Sequence, residues 1–314
     1  MADRGSEADR PGTAPALPFV DAHQHFWDPT ANYHPWLCDE PPIPFRYGDY
    51  RAIRRPYLPD EYRAGARAAG VEVLGSVYVE TEWDPRDPIG ELRWVDALRR
   101  RTGLPSVAVA QAWLDAPDAA AALESAAAFP FVRSVRHKPR ANPAPGGPPG
   151  GTTDAAWRAG FARLEPLGLR FDLQTPWWHF DECARLAADF PGTTLIVNHC
   201  GLPADRSPEA LAAWRRACVR LAECPNVAIK LSGIGRPGQA WTADANRPVV
   251  EALVEAFGSG RCMVATNFPV DTLCGDWASI LGGFRTILSS LSAHERHALF
   301  AGNANRIYDM GLDA

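Results

Sequence analysis

Eight short, strand-like apolar runs recur along the chain, at 18–22, 73–79, 106–112, 132–136, 169–173, 194–198, 227–231 and 262–266. Segments with helical spacing of their apolar residues lie between them, clearest at 59–69, 88–101, 115–128, 154–167, 180–190, 208–223, 247–257 and 277–291. Asp115 and Asp154 fit as N-caps, and Pro88 and Pro208 suit a first helical turn. Gly168, Gly192 and Gly258 stand where helices should stop. Strands alternating with helices predict βαβ units and a parallel sheet. Eight such units predict an α/β protein whose sheet closes into a (β/α)8 barrel. A doubly wound sheet is the alternative, but no Gly-rich dinucleotide fingerprint follows the first strand. A last helical stretch over 293–309 is expected to close the barrel.

Two connections exceed what joining elements requires. The segment 26–58 carries Phe26, Trp27, Tyr33, Trp36, Phe45, Tyr47 and Tyr50 among prolines, while 139–153 is almost wholly Pro, Gly, Ala and Asn. Both follow strands, so a barrel places both at its C-terminal face, where long loops act as lids or binding loops. A disordered insert is the other reading of the second.

Composition narrows the class. The chain has 314 residues, 46% apolar and 22% charged, with net charge −5 and no basic run, which speaks against nucleic acid as a partner. No apolar stretch approaches the ~20 residues of a membrane span. The seven cysteines are odd in number and form no CxxC pair, as expected in a reducing, cytoplasmic compartment. Residues 1–16 read as a disordered tail without an apolar signal core, and 17–314 as one barrel domain.

The chemistry gathers at strand ends. In Val20-Asp21-Ala22-His23-Gln24-His25 the two histidines are two residues apart, so a regular strand turns both to one face, with Asp21 one step deeper. Glu80 and Glu82 end the second strand, Gln111 and Trp113 the third, and Arg136, His137 and Lys138 the fourth. Gln174 and Trp177 follow the fifth, His199 the sixth, Lys230 and Ser232 the seventh, and Asn267 and Asp271 the eighth. Such clustering at the C-terminal ends predicts a polar pocket.

These residues fall into blocks that resemble a known family. Val20 to His25, Val197-Asn198-His199-Cys200-Gly201-Leu202-Pro203, Lys230-Leu231-Ser232-Gly233 and Thr266-Asn267-Phe268-Pro269-Val270-Asp271 are similar, in order, to signature blocks of the amidohydrolase-2 branch of the amidohydrolase superfamily. The likeness is greatest to its lactonase group, which includes sugar-lactone and 2-pyrone-4,6-dicarboxylate lactonases. It implies a distorted (β/α)8 TIM barrel that hydrolyses a lactone or related cyclic ester or amide of a small polar or aromatic molecule. It implies His23, His25 and His199 as the set for one divalent metal, zinc, although some members use none. It matches Arg136 to a substrate-binding position and Asn267 to a place usually held by aspartate.

That last difference removes the usual base, because a carboxamide has no useful basicity and ligates hard cations poorly. Candidates for direct chemistry are therefore His199, Asn267, Asp271, Glu80 and His137. Three of them also have a structural use: Asp271 as a cap, Glu80 as partner of Arg136, His137 in packing. Candidates for substrate contact are Arg136, Lys138, Trp27, Trp113, Gln174 and Trp177. The expected partner is a small-molecule substrate, with homodimer assembly left open. Decarboxylation, a repurposed lyase, isomerase or cyclase activity, and a non-catalytic binding role are the alternatives to hydrolysis.

Overall fold

A computed structural model describes residues 16–313, so the tail expected at 1–16 lies outside the described residues except for Ala16. Eight strands form one sheet whose spatial order follows the chain: β1 Leu17–Gln24, β2 Val71–Val79, β3 Val107–Gln111, β4 Val132–Arg136, β5 Arg170–Leu173, β6 Leu195–Val197, β7 Val227–Leu231 and β8 Cys262–Val264. Every adjacent pair is parallel. The seam between β8 and β1 closes just beyond the strand ends, where Asn267 N donates to His23 O at 2.8 Å and His25 N to Phe268 O at 2.7 Å. With helices in each connection, the fold is a distorted (β/α)8 TIM barrel.

The outer helices include Pro59–Ala68, Pro88–Thr102, Ala119–Ala127, Ala155–Phe161, Phe180–Asp189, Pro208–Ala222, Ala243–Phe257 and Trp277–Ile287. Three differ from the spacing-based expectation. The helix expected from Asp115 starts after Asp118, and the one expected over 154–167 ends at Phe161 in turns. The helix expected at 247 begins four residues earlier, where the Thr242 hydroxyl accepts from Ala245 N at 3.3 Å. Pro248 therefore lies inside it, although proline favours a first turn. The final segment holds Ala293–His297, a π turn at Ala298–Gly302 and Asn303–Ile307. It ends on buried Tyr308, which packs with Val20, Ala22, Val77 and Val109 inside the barrel.

One irregularity decides the site. Between Asp21 and Gln24, β1 advances one residue more than β2, which is a β-bulge. It breaks the period of two, and Asp21 does not share the histidine face. Asp21 turns outward, accepting from Tyr62 Oη at 2.8 Å and from Thr266 Oγ1 at 2.6 Å. Burial raises its pKa to about 6.

The long β1 loop folds over the barrel mouth. The β4 loop docks elsewhere: Gly150 N donates to Glu182 at 2.8 Å, Asn142 N to His179 Nε2 at 3.1 Å and Trp178 Nε1 to Asn142 O at 3.1 Å. Among the described residues, no helix is long and apolar enough to cross a membrane. All seven cysteines are free thiols.

Candidate active site

Two joined chambers open at the C-terminal ends of the strands. The inner one, about 270 Å³, is lined by His25, Trp27, Arg46, Arg136, Gln174, His199 and Asn267 among others. The outer one, about 450 Å³, is lined by Trp36, Trp83, Gln111, Trp113 and His137 among others. Glu80, Glu82, Arg136 and Lys138 line both.

The three histidines meet beneath and beside the inner chamber. The His23 ring lies 5.0 Å from that of His25 and 4.5 Å from that of His199, centroid to centroid. His25 Nδ1 donates to Val79 O at 2.7 Å, which leaves its Nε2 with a lone pair. His199 Nδ1 lies 3.0 Å from Ser232 Oγ. His23 sits one layer deeper and is fully buried. Its Nδ1 faces Lys230 Nζ at 3.2 Å, and Asp172 binds that ammonium at 2.5 Å. Ser134 Oγ and Tyr308 Oη also donate to Asp172, at 2.7 and 2.9 Å. Because an ammonium only donates, His23 Nδ1 accepts and the proton of the neutral ring stays on Nε2. That Nε2 has no partner among the described residues.

Burial holds all three imidazoles neutral. It pulls His25 down to about 3, with the Arg136 charge adding to the effect. His23 and His199 are also held well below the ordinary range, by burial and then by the charges of Lys230 for the first and Arg46 for the second. Burial likewise brings Lys230 down to about 8 despite Asp172.

Asn267 and His199 both hold left-handed backbone, with φ of 55° and 54°. Such conformations in non-glycine residues are uncommon and collect at functional sites. Asn267 Nδ2 donates to Asp271 Oδ1 at 2.6 Å. The same carboxylate accepts from Tyr47 Oη at 3.0 Å and Gly233 N at 3.1 Å, with Arg46 at 3.6 Å. Asp271 thus stands behind Asn267 and is not among the residues lining either chamber. Burial raises its pKa.

The remaining candidates separate clearly. Arg136 is buried, and its Nε, Nη1 and Nη2 donate to Glu80 Oε1 at 2.5 Å, Gln174 Oε1 at 3.0 Å and Glu80 O at 2.7 Å. Glu80 also accepts from Glu82 N at 2.8 Å, so its carboxylate is committed. Of the five guanidinium N–H groups, two stay available. His137 Nδ1 accepts from Leu114 N at 3.1 Å and Trp157 Nε1 at 3.0 Å. Lys138 pairs with Glu82 at the mouth. The Trp27 ring stacks on His25, with its indole N–H turned away to Ile53 O and Arg55 O. Trp177 meets Trp178 edge-on and lines neither chamber.

Sequence reasoning assigned no role to Lys230, Asp172, Ser232 or Arg46. A charged residue inside an apolar strand, as in Val-Ala-Ile-Lys-Leu and Arg-Phe-Asp-Leu, was the available signal for the first two.

The likeness to amidohydrolases implies a divalent metal, and the donor set does not fit one. Metal-bound histidines donate their other N–H to an acceptor, as His25 does. His23 instead receives a proton donor there, which places N–H where a ligand lone pair is needed. Asn267 supplies no carboxylate. Among the described residues, no three His, Cys, Asp or Glu side chains are arranged to hold a metal ion.

Comparison with known proteins bears on the family. The family described as Amidohydrolase matches residues 20–310. An uncharacterised protein of Sinorhizobium fredii, y4mH, is 36% identical over 297 residues, covering 93% of this chain and 98% of its own. An L-fucono-1,5-lactonase of Burkholderia multivorans is 27% identical over 304 residues, covering 92% of this chain and 95% of its own. A solved amidohydrolase of Burkholderia multivorans with bound HEPES superposes with TM-score 0.75 at 27% identity, covering 94% of this chain and 99% of its own. A second crystal form with bound zinc gives TM-score 0.73 at 26% identity.

Proposed function

Because the chain belongs to the amidohydrolase family, we propose that it is a hydrolase that opens a lactone, working in the inner chamber at the C-terminal face of the barrel. The convergence of His25, Arg136, His199 and Asn267 from four strand ends on one small cavity carries this reading. The likeness to L-fucono-1,5-lactonase supports a polyhydroxylated cyclic ester as the substrate class. Seven free thiols support a cytoplasmic setting.

The residues divide the work. The lactone carbonyl oxygen lies against the free N–H groups of Arg136, which stabilise the oxyanion as it forms. His25 Nε2, fixed as an acceptor by its bond to Val79, orients the attacking water. His199, braced by Ser232, takes the proton of that water as its oxygen bonds to the carbonyl carbon. The ring C–O bond then breaks, and His199 returns the proton to the leaving alkoxide. An imidazole held strongly toward its neutral form gives up that proton readily. Asn267 orients the polar groups of the substrate, with Asp271 holding its amide in place. Glu80 fixes Arg136. No step runs through a metal.

A pH-indicator assay across aldono-1,5-lactones tests this. Acid should appear as lactone is lost, and His199→Ala should lower kcat by roughly 100-fold or more. Absence of turnover on every lactone overturns the reading, and release of carbon dioxide from aromatic acids would replace it with decarboxylation.

A further inference from the structure

The outer chamber is larger than the inner one, about 450 against 270 Å³, yet no step of lactone opening uses it. Trp36, Trp83, Trp113 and Ile43 give it apolar walls. Besides the charged side chains that it shares with the inner chamber, two neutral polar side chains line it. His137 Nδ1 accepts two N–H donors, from Leu114 and Trp157, so the proton of the neutral ring is on Nε2. Burial favours that neutral form against the nearby Asp115, whose carboxylate lies 3.9 Å from Nε2, beyond hydrogen-bond distance, so the Nε2 proton is not taken up within the described residues. Gln111, at the end of β3, also lines the chamber, and its amide oxygen is buried with no hydrogen-bond partner among the described residues. An unpaired buried acceptor is costly, and a ligand hydroxyl that reaches it removes the cost.

A ring with apolar faces and hydroxyls on its edge meets all of these groups at once. The faces lie on indole, one edge hydroxyl bonds the Gln111 amide, and another accepts from His137. We propose that the outer chamber is a subsite for a second, hydroxylated ring of the substrate, joined to the lactone ring that reacts in the inner chamber. For its reacting half this rests on the lactone reading above. The Glu80–Arg136 pair lines both chambers, so the two rings flank it. Binding energy from the remote ring then holds the carbonyl against Arg136.

The test compares kcat/KM of the full-length enzyme on glucono-1,5-lactone, cellobiono-1,5-lactone and a δ-lactone carrying a 4-hydroxyphenyl group. One extended lactone should exceed its bare counterpart by at least about tenfold, the cellobiono arm marking a sugar ring and the phenyl arm a phenol. In Gln111→Leu and in Trp113→Ala that ratio should fall to about one. Equal rates for bare and extended lactones, or a ratio that survives both substitutions, overturn the proposal. Titration of tryptophan fluorescence with cellobiose and with p-cresol reads the subsite without turnover. Binding of either probe that Gln111→Leu abolishes supports the subsite even if no lactone is hydrolysed. Binding of neither overturns it.

Discussion

Lys230 donates to Nδ1 of His23 across 3.2 Å, while Asp172 grips the same ammonium at 2.5 Å. All three side chains are fully buried. A charge in that place fixes the proton of His23 on Nε2, which has no partner among the described residues.

Lys230→Met should therefore leave Asp172 as a buried carboxylate without its counter-charge, at a loss of about 3–5 kcal/mol in urea unfolding. Lys230→Met combined with Asp172→Asn removes both charges and should recover most of that loss. Turnover should stay low in the double variant, because His23 is no longer held in one tautomer. The freed ring can also present a lone pair at Nε2, so the double variant should bind zinc more tightly than the unaltered protein in calorimetric titration. Equally tight zinc binding by the unaltered protein would sink the tautomer argument.

Much of this molecule was legible in the pattern of its residues. Eight apolar runs split by helical segments leave few ways to bury every strand, and the barrel is one of them. The strand-end polar residues point to the mouth for the same reason. Other features were hidden because they depend on register and on distant partners. The bulge in β1 turns Asp21 outward to Tyr62, which no period-two reading of Val20 to His25 anticipates. Asp271 serves Asn267 from behind because β7 brings Gly233 and the β1 loop brings Tyr47 to the same carboxylate. The Lys230–Asp172 pair joins strands 58 residues apart.

The Asn267–Asp271 contact predicts the outcome of restoring a carboxylate. Asn267→Asp puts two carboxyl groups where an amide N–H now donates at 2.6 Å, so one of them must hold a proton. Burial already raises Asp271, which adds to the demand. The substitution should lower kcat/KM at neutral pH and move the pH–rate profile toward acid. Adding Asp271→Asn reverses donor and acceptor and should restore stability in urea unfolding. A gain of lactone turnover in the single variant would instead mean that Asn267 replaces a lost base.

Gly233 bears directly on His199. Its φ is +61°, and a Cβ there would fall 2.4 Å from His199 Nδ1, inside the space the Ser232 contact needs. Gly258 makes a control, with φ +74° and no atom within 4 Å of a built Cβ. Both alanine substitutions should cost about 1 kcal/mol or more through the left-handed backbone. Only Gly233→Ala should also lower kcat, since it alone displaces an imidazole. Equal kcat for the two variants would remove His199 from the chemistry.

The buried histidines set how the fold responds to acid. His25 has a folded pKa of about 3 against 6.5 unfolded, so between those values the unfolded chain holds a proton that the folded one lacks. Its contribution to stability is complete above about pH 6.5 and is lost as pH falls toward 3. His23 and His199 are shifted in the same direction. Asp21, raised to about 6, and Glu91, buried on the helix Pro88–Thr102 and raised by that burial to about 7, act with the opposite sign: each favours the folded state below its unfolded pKa and loses that contribution as pH rises through its folded one. The slope of unfolding free energy against pH below 6.5 should therefore shrink in His25→Gln, by up to about 1.4 kcal/mol per pH unit for one proton. Urea unfolding at pH 7, 6, 5 and 4 measures it. An unchanged slope in His25→Gln would mean that His25 is charged in the folded protein, and the neutral acceptor assigned to it would be wrong.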